Sequence, residues 1–244
     1  MRRFAFSLIA LLSIVDLTEL HAAEAEVRPA LIGDGPEALI NLIDTKKLVE
    51  KGQRDGLVMF KCYVDRSGKV STYNVFRETP GSKLLKEELR AAIAASRFIP
   101  AVYNGKRTDV ALVGTVVLFV TDGKPQLHIY LNQNHEDVSK GNDFIAPQLL
   151  INSVDRTRSG NDLAAEKARV YGQNGWIELS ITVDANGNQK DLQVVLEDPP
   201  GFGFGTVAMH AYAKAKWIPG FRGGQAVDCS FDYPEWFQSR RPHG

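Results

Sequence analysis

The sequence predicts an α+β protein made of two tandem two-layer β-β-α-β modules. Three observations carry this. Residues 56–119 and 175–238 align without a gap at a constant offset of 119. In each copy, two segments of strand-length alternation give way to a helical period. Both helical segments then stop at an aromatic-Ile-Pro triplet, Phe98-Ile99-Pro100 and Trp217-Ile218-Pro219.

The first strand of each copy is read from alternation. Val58, Phe60, Cys62 and Val64 share a phase, and Ile177, Leu179, Ile181 and Val183 occupy the same phase in the second copy. Asp65-Arg66-Ser67-Gly68 and Asp184-Ala185-Asn186-Gly187 are tight turns, with glycine available for positive φ. Second strands follow at 69–77 and 188–196, then loops containing Pro80 and Pro199. The helices come next. Leu85, Leu89, Ala92, Ile93 and Ser96 fall on one face, and the offset carries them to Phe204, Ala208, Ala211, Tyr212 and Ala215, again one face. A glycine turn precedes the last strands, at 108–120 and 225–233.

The flanks complete the organisation. Residues 36–51 read as one amphipathic helix, with Pro36 in its first turn and Leu39, Ile40, Ile43, Leu48 and Val49 on its apolar face. Residues 123–174 join the copies. They hold a strand at 126–131, a loop rich in Asn, Asp and Gly, and a short helix at about 161–171. So long a segment is expected to pack on the modules rather than hang as a linker. At the N-terminus, Arg2 and Arg3, an apolar run over 4–15 and the Ala23-Glu24-Ala25 site read as a secretory signal. Twelve helical residues reach about 18 Å, short of a hydrocarbon core of about 30 Å. The expected division is signal peptide 1–25, first module with its N-terminal helix 26–122, connector 123–160, second module 161–238 and tail 239–244. The chain is then periplasmic, with no membrane span after signal cleavage.

Charge narrows the function. Lys and Arg number 29 and Asp and Glu number 29, so the 244-residue chain lacks the basic footprint of a nucleic-acid binder. No G-x-S-x-G, S-x-x-K, H-E-x-x-H or phosphate-loop motif occurs. Gly201-Phe202-Gly203-Phe204-Gly205 lacks the lysine a phosphate loop needs and reads as a turn, with Phe204 plugging the core. His135-Glu136-Asp137 reads as a solvated loop, and Asp65 and Asp184 as acceptors for turn amides. No catalytic residue, metal or cofactor is expected, so the chain reads as a binding protein rather than an enzyme. Cys62 and Cys229 each share an inward phase with apolar neighbours. They can bridge only if the modules share a sheet or core, since bridged Cα atoms lie about 4.4–6.8 Å apart. Otherwise each is a buried thiol. Tyr233, Trp236 and Phe237 either cap the second core or form an exposed aromatic patch.

The repeated residues resemble a known family. Val64-Asp65-x-x-Gly68 and Val183-Asp184-x-x-Gly187 are each followed by a strand, a Pro/Gly loop and a helix ending in aromatic-Ile-Pro. Phe98-Ile99-Pro100-Ala101 with Gly105, and Trp217-Ile218-Pro219-Gly220 with Gly224, close the pattern, Gly220 replacing its usual Ala. This resembles the C-terminal domain of TonB-family proteins, present twice. The resemblance implies an envelope module that binds a protein or peptide, as TonB captures a transporter peptide by adding it to its sheet as a strand. An edge strand offers the unpaired N–H and C=O groups such capture needs. The candidate edge positions are Val110, Leu112, Gly114 and Val116 in the first copy, and Val227, Cys229, Phe231 and Tyr233 in the second. An envelope protein or peptide is the partner implied, and self-association into a homo-oligomer is a second. TonB's anchor and Pro-rich spacer have no counterpart here, where a second module stands instead. The rival expectation is therefore a scaffold whose sheet edges pair with each other, with a partner surface on the helices or on 123–174.

Overall fold

The computed structural model describes residues 26–155 and 172–238. The expected signal peptide, the expected helix at 161–171 and the tail at 239–244 lie outside these residues. The architecture is sheet-rich α+β. In chain order its elements are β1 (Val27–Arg28), α1 (Leu39–Leu42), α2 (Thr45–Glu50), β2 (Gly56–Val64), β3 (Val70–Glu78), α3 (Lys83–Ala95), β4 (Ala101–Tyr103), β5 (Lys106–Thr108), β6 (Val110–Thr121) and β7 (Lys124–Tyr130). There follow α4 (His135–Lys140), β8 (Gln148–Leu150), β9 (Gly175–Val183), β10 (Gln189–Asp198), α5 (Phe204–Tyr212), β11 (Trp217–Ile218), β12 (Gly220–Arg222), β13 (Gln225–Val227) and β14 (Cys229–Phe237).

Each copy folds as β-β-α-β, with its first strand central: β3-β2-β6 in one and β10-β9-β14 in the other, all antiparallel. The repeat's matched residues explain why. Gly68 and Gly187 have φ of +86° and +80°. A Cβ at either would collide with the carbonyl of Phe98 or Trp217. In return the two aromatic residues donate their backbone N–H to the glycine carbonyls, at 2.8 and 3.3 Å. The end of each helix is thus tied to the first turn. Asp109 and Asp228 tie the start of the last strand to the same turn, accepting from the amides of Arg66 (2.8 Å) and Ala185 (2.7 Å). Asp65 and Asp184 accept from amides inside their own turns, as the sequence predicts.

Two cores result. The first lies between the β3-β2-β6 sheet and α3, built on Val58, Phe60, Cys62, Val64, Leu85, Leu89, Ile93 and Phe98. The second lies between β9, β10, β14 and α5, built on Ile177, Leu179, Ile181, Phe204, Trp217 and Tyr233. This second core extends onto the back of the first sheet, through Tyr63, Ala111, Val113 and Leu149. A buried polar cluster fixes the junction. Lys61, 1% exposed, donates from Nζ to the Pro234 carbonyl (2.8 Å) and Glu235 Oε2 (2.8 Å), and lies 4.0 Å from the Tyr233 ring centre. Tyr212 donates its hydroxyl to the same Glu235 oxygen. Burial and the nearby Glu235 carboxylate push the Tyr212 phenol well above its usual value, so it keeps the proton it donates. Across the junction Arg77 grips Glu178 with both nitrogens, at 2.9 and 2.7 Å, and Phe76 packs on Trp236 with ring centres 4.9 Å apart.

Several expectations are corrected. The single helix over 36–51 is two short ones, because Asp44 accepts from the Lys47 amide and restarts the helix after Ile43 leaves helical geometry. Ile40 is 39% exposed rather than on the buried face. The connector does pack on the modules and its expected strand is β7; beyond that expectation, β7 and β8 both pair with β6, and β8 also pairs with β11, so the first sheet takes in a strand from the second copy. The segments 27–31 and 145–149 play matching parts. Each lies antiparallel to the short strand after the helix, Leu31 bridging Ile99 and Ile145 bridging Phe221.

Candidate functional site: an apolar cleft on the first sheet

The edge positions fail for structural reasons. β6 is not an edge. Residues 115–121 pair with β7 through a two-residue Asp122-Gly123 hairpin, and Val110–Ala111 pair with β8. Asp122 and Gly123 have φ of 51° and 74°, the backbone such a hairpin requires. Val110, Leu112 and Val116 point into the first core at 0–1% exposure, and Gly114 sits against Phe60, whose Cζ would lie 2.5 Å from an added Cβ. None of the four offers a surface.

In the second copy Val227 belongs to the β12–β13 hairpin, opposite Gly220, and not to the last strand. β14 pairs with β9 in unbroken register from Cys229 to Phe237. Pro234 has no N–H, and its carbonyl goes to Lys61, so its backbone faces away from β9. Alternation then turns Ser230, Asp232 and Trp236 the same way, and Cys229, Phe231 and Tyr233 toward β9. Phe231 and Tyr233 are core side chains. The outer rim of β14 is set down on the back of the first sheet, with a proline and a buried lysine at the contact. Both are devices that blunt an edge. β3 and β10 each pair with one neighbour among the described residues, and the pairings of both carry register shifts.

The two cysteines are free thiols. Cys62 lies in the first core and Cys229 beside the second, so the bridge does not form although the second core reaches the first sheet. Burial pushes Cys62 far up and Cys229 up to about 11. The aromatic cluster divides. Tyr233 is core, Phe237 stacks on Phe204 at 5.1 Å, and Trp236 turns to the first module.

Part of the first sheet's back face is left less covered: Phe119 is exposed and Leu57 and Met59 are half-buried, beside a buried Val117 and Thr115. The second module covers Tyr63, Ala111 and Val113. It stops short of the next rows, where Leu57, Met59, Thr115, Val117 and Phe119 floor a cleft of about 400 Å³. The register makes this floor: Leu57 lies opposite Val117 and Met59 opposite Thr115 on neighbouring strands, so their side chains share one face. Phe119 is 46% exposed. Short helix α4 walls the cleft with His135, Val138 and Ser139, and Asp55, Thr79 and Gln133 stand at its rim. Asn134 caps α4 by accepting from the Asp137 amide at 3.1 Å. The volume is that of a small ligand or a few side chains.

Sequence reasoning missed this site because it took Phe119 and Val117 for an edge strand and His135-Glu136-Asp137 for a loop. The Asp122-Gly123 pair was the available signal, since it announces that β6 has a hairpin partner. Glu136 pairs with Lys140 (2.6 Å) and Asp137 with Arg222 (2.8 Å). Among the described residues no three His, Cys, Asp or Glu side chains gather as a metal site would need, and no helix is long and apolar enough to cross a membrane.

No family model matches the chain, and no curated protein matches it.

Proposed function

We propose that this chain is a periplasmic protein-binding scaffold of the cell envelope, built from two TonB C-terminal-like modules. It takes an apolar stretch of a partner protein in the cleft over Leu57, Met59, Val117 and Phe119. The observation that carries this reading is the half-covered back face: an apolar floor, left open beside a face its own second module buries. The chemistry of the rim favours a polypeptide. Asp55, Thr79, Gln133, His135 and Ser139 border the apolar floor, the first three and Ser139 also bonding within the chain. A peptide that alternates apolar side chains with polar backbone suits such a border. The paired and docked last strands favour this over strand capture, and so favour a scaffold role over transport.

The test is photo-cross-linking in a Gram-negative envelope, with probes at Phe119 and Ser230 in turn. A discrete protein adduct from Phe119, abolished by Leu57→Glu, supports the cleft. An adduct from Ser230 alone returns the function to the β14 edge, and lipid adducts alone contradict a protein partner.

A further inference from the structure

We propose that the second module is the positioning device for the cleft, through Arg222 and the β12–β13 hairpin that grips α4. This rests on the cleft being the binding face. α4 is only six residues long. A helix of that length does not hold itself in water, so its place must come from tertiary contacts. Beyond its local caps at Asn134 and Asn142, α4 and the turn after it are held by the other module. Arg222 Nη1 donates to Asp137 Oδ1 at 2.8 Å, and its guanidinium lies 4.9 Å from the Phe144 ring centre. The Gly223 amide donates to Asp143 Oδ2 at 2.7 Å. Asp137 is 7% exposed and also accepts from Asn142 Nδ2 at 2.9 Å, so the ion pair closes the C-terminal turn of α4 as well.

The repeat shows that this grip is a specialisation. The β4–β5 hairpin of the first copy occupies the equivalent place, at the same offset of 119, and pairs with β1 as Phe221 of β12 pairs with Ile145. Tyr103 stands there where the second copy has Arg222. Both hairpins anchor the segment that runs beside them, and the second adds through Arg222 a hold on the wall of the cleft. Arg222 is thus a positioning residue. It lines nothing in the cleft, yet it fixes Val138 and His135, which do. Such an arrangement also makes the cleft dependent on the two modules staying docked.

Hydrogen exchange at the amides of Val138, Gly141 and Asn142, which are bonded within α4 and its cap, reads the position of the helix without any ligand. Arg222→Ala is expected to speed their exchange on the order of 10-fold while β2 and β6 stay protected, with Arg222→Lys restoring part of the protection. The same preparations carry a photo-cross-linker at Phe119. Faster exchange with a reduced adduct supports the inference. Faster exchange where even the unsubstituted chain gives no adduct sinks the binding reading and leaves the positioning intact. Exchange within 2-fold of the unsubstituted chain overturns the positioning role, whatever the adduct does.

Discussion

Lys61→Met tests how the modules are locked together. Methionine keeps much of the apolar stem and removes the ammonium. Two hydrogen bonds disappear, to the Pro234 carbonyl and to Glu235, together with the cation over the Tyr233 ring. Breaking a fully buried ion pair by removing one partner costs about 3–5 kcal/mol. The figure here is smaller, because Glu235 is 19% exposed and keeps the Tyr212 hydroxyl as a donor. The desolvation of the ammonium is also recovered. The expected loss is about 2 kcal/mol, drawn mainly from a charge-assisted hydrogen bond of about 1.5–3 kcal/mol. Urea denaturation reads it as a midpoint fall of about 0.7 M, for a slope of about 3 kcal/mol/M. Combining Lys61→Met with Glu235→Gln should give less than the sum of the single losses, because both act on one network. A loss under about 0.5 kcal/mol with additive behaviour would refute the claim that this cluster locks the junction.

Further outcomes follow from particular contacts. Gly187→Ala should destabilise by at least about 1–3 kcal/mol in thermal melts, since φ is +80° and the new Cβ meets the Trp217 carbonyl. Leu57→Glu should leave stability within about 1 kcal/mol, because Leu57 is half-exposed, while abolishing the Phe119 adduct. Acid should loosen α4. Arg222 beside Asp137 holds its carboxyl below the usual range, so the stabilisation is present above the unfolded value of 3.8 and is lost as pH falls below it through the folded value. The protection factor at Val138, with the intrinsic pH dependence of amide exchange divided out, should therefore fall in that window and stay constant near neutrality. Native protein at pH 7 should alkylate slowly at both cysteines, because burial keeps Cys62 and Cys229 as thiols, and the intact mass should show no disulfide.

The repeat was legible because its matched residues are those with least freedom. Gly68, Gly187, Phe98 and Trp217 form one contact twice, and no other residue fits the glycine positions without strain. Turns, helix faces and strand phases followed from the same local rules. Long-range pairing did not. Val110–Val120 is a nearly continuous apolar run, as a strand buried on both faces gives, and Asp122-Gly123 follows it as a hairpin turn, but neither names the second-module surface that covers it. The match between 27–31 and 145–149 was hidden differently. By register, Arg28 opposite Val102 and Leu31 opposite Ile99 correspond to Ile145 opposite Phe221 and Gln148 opposite Ile218, an offset of 117 and so two residues out of step with the rest, and an ungapped comparison passes over it. The cleft was illegible for a third reason. It exists only where the second module stops covering the first sheet, and module docking rests on Lys61, Glu235 and Arg77, charged residues that a sequence reading assigns to the surface.

A partner held in the proposed cleft and one added to a strand edge protect different residues. Hydrogen exchange on the complex with the partner captured from Phe119 separates the two most directly. Binding in the cleft should add protection at α4, residues 135–140, and none at Ser230 and Asp232 of β14. Protection confined to Ser230 and Asp232, with α4 unchanged, would mean that the edge takes the ligand and would contradict binding in the cleft.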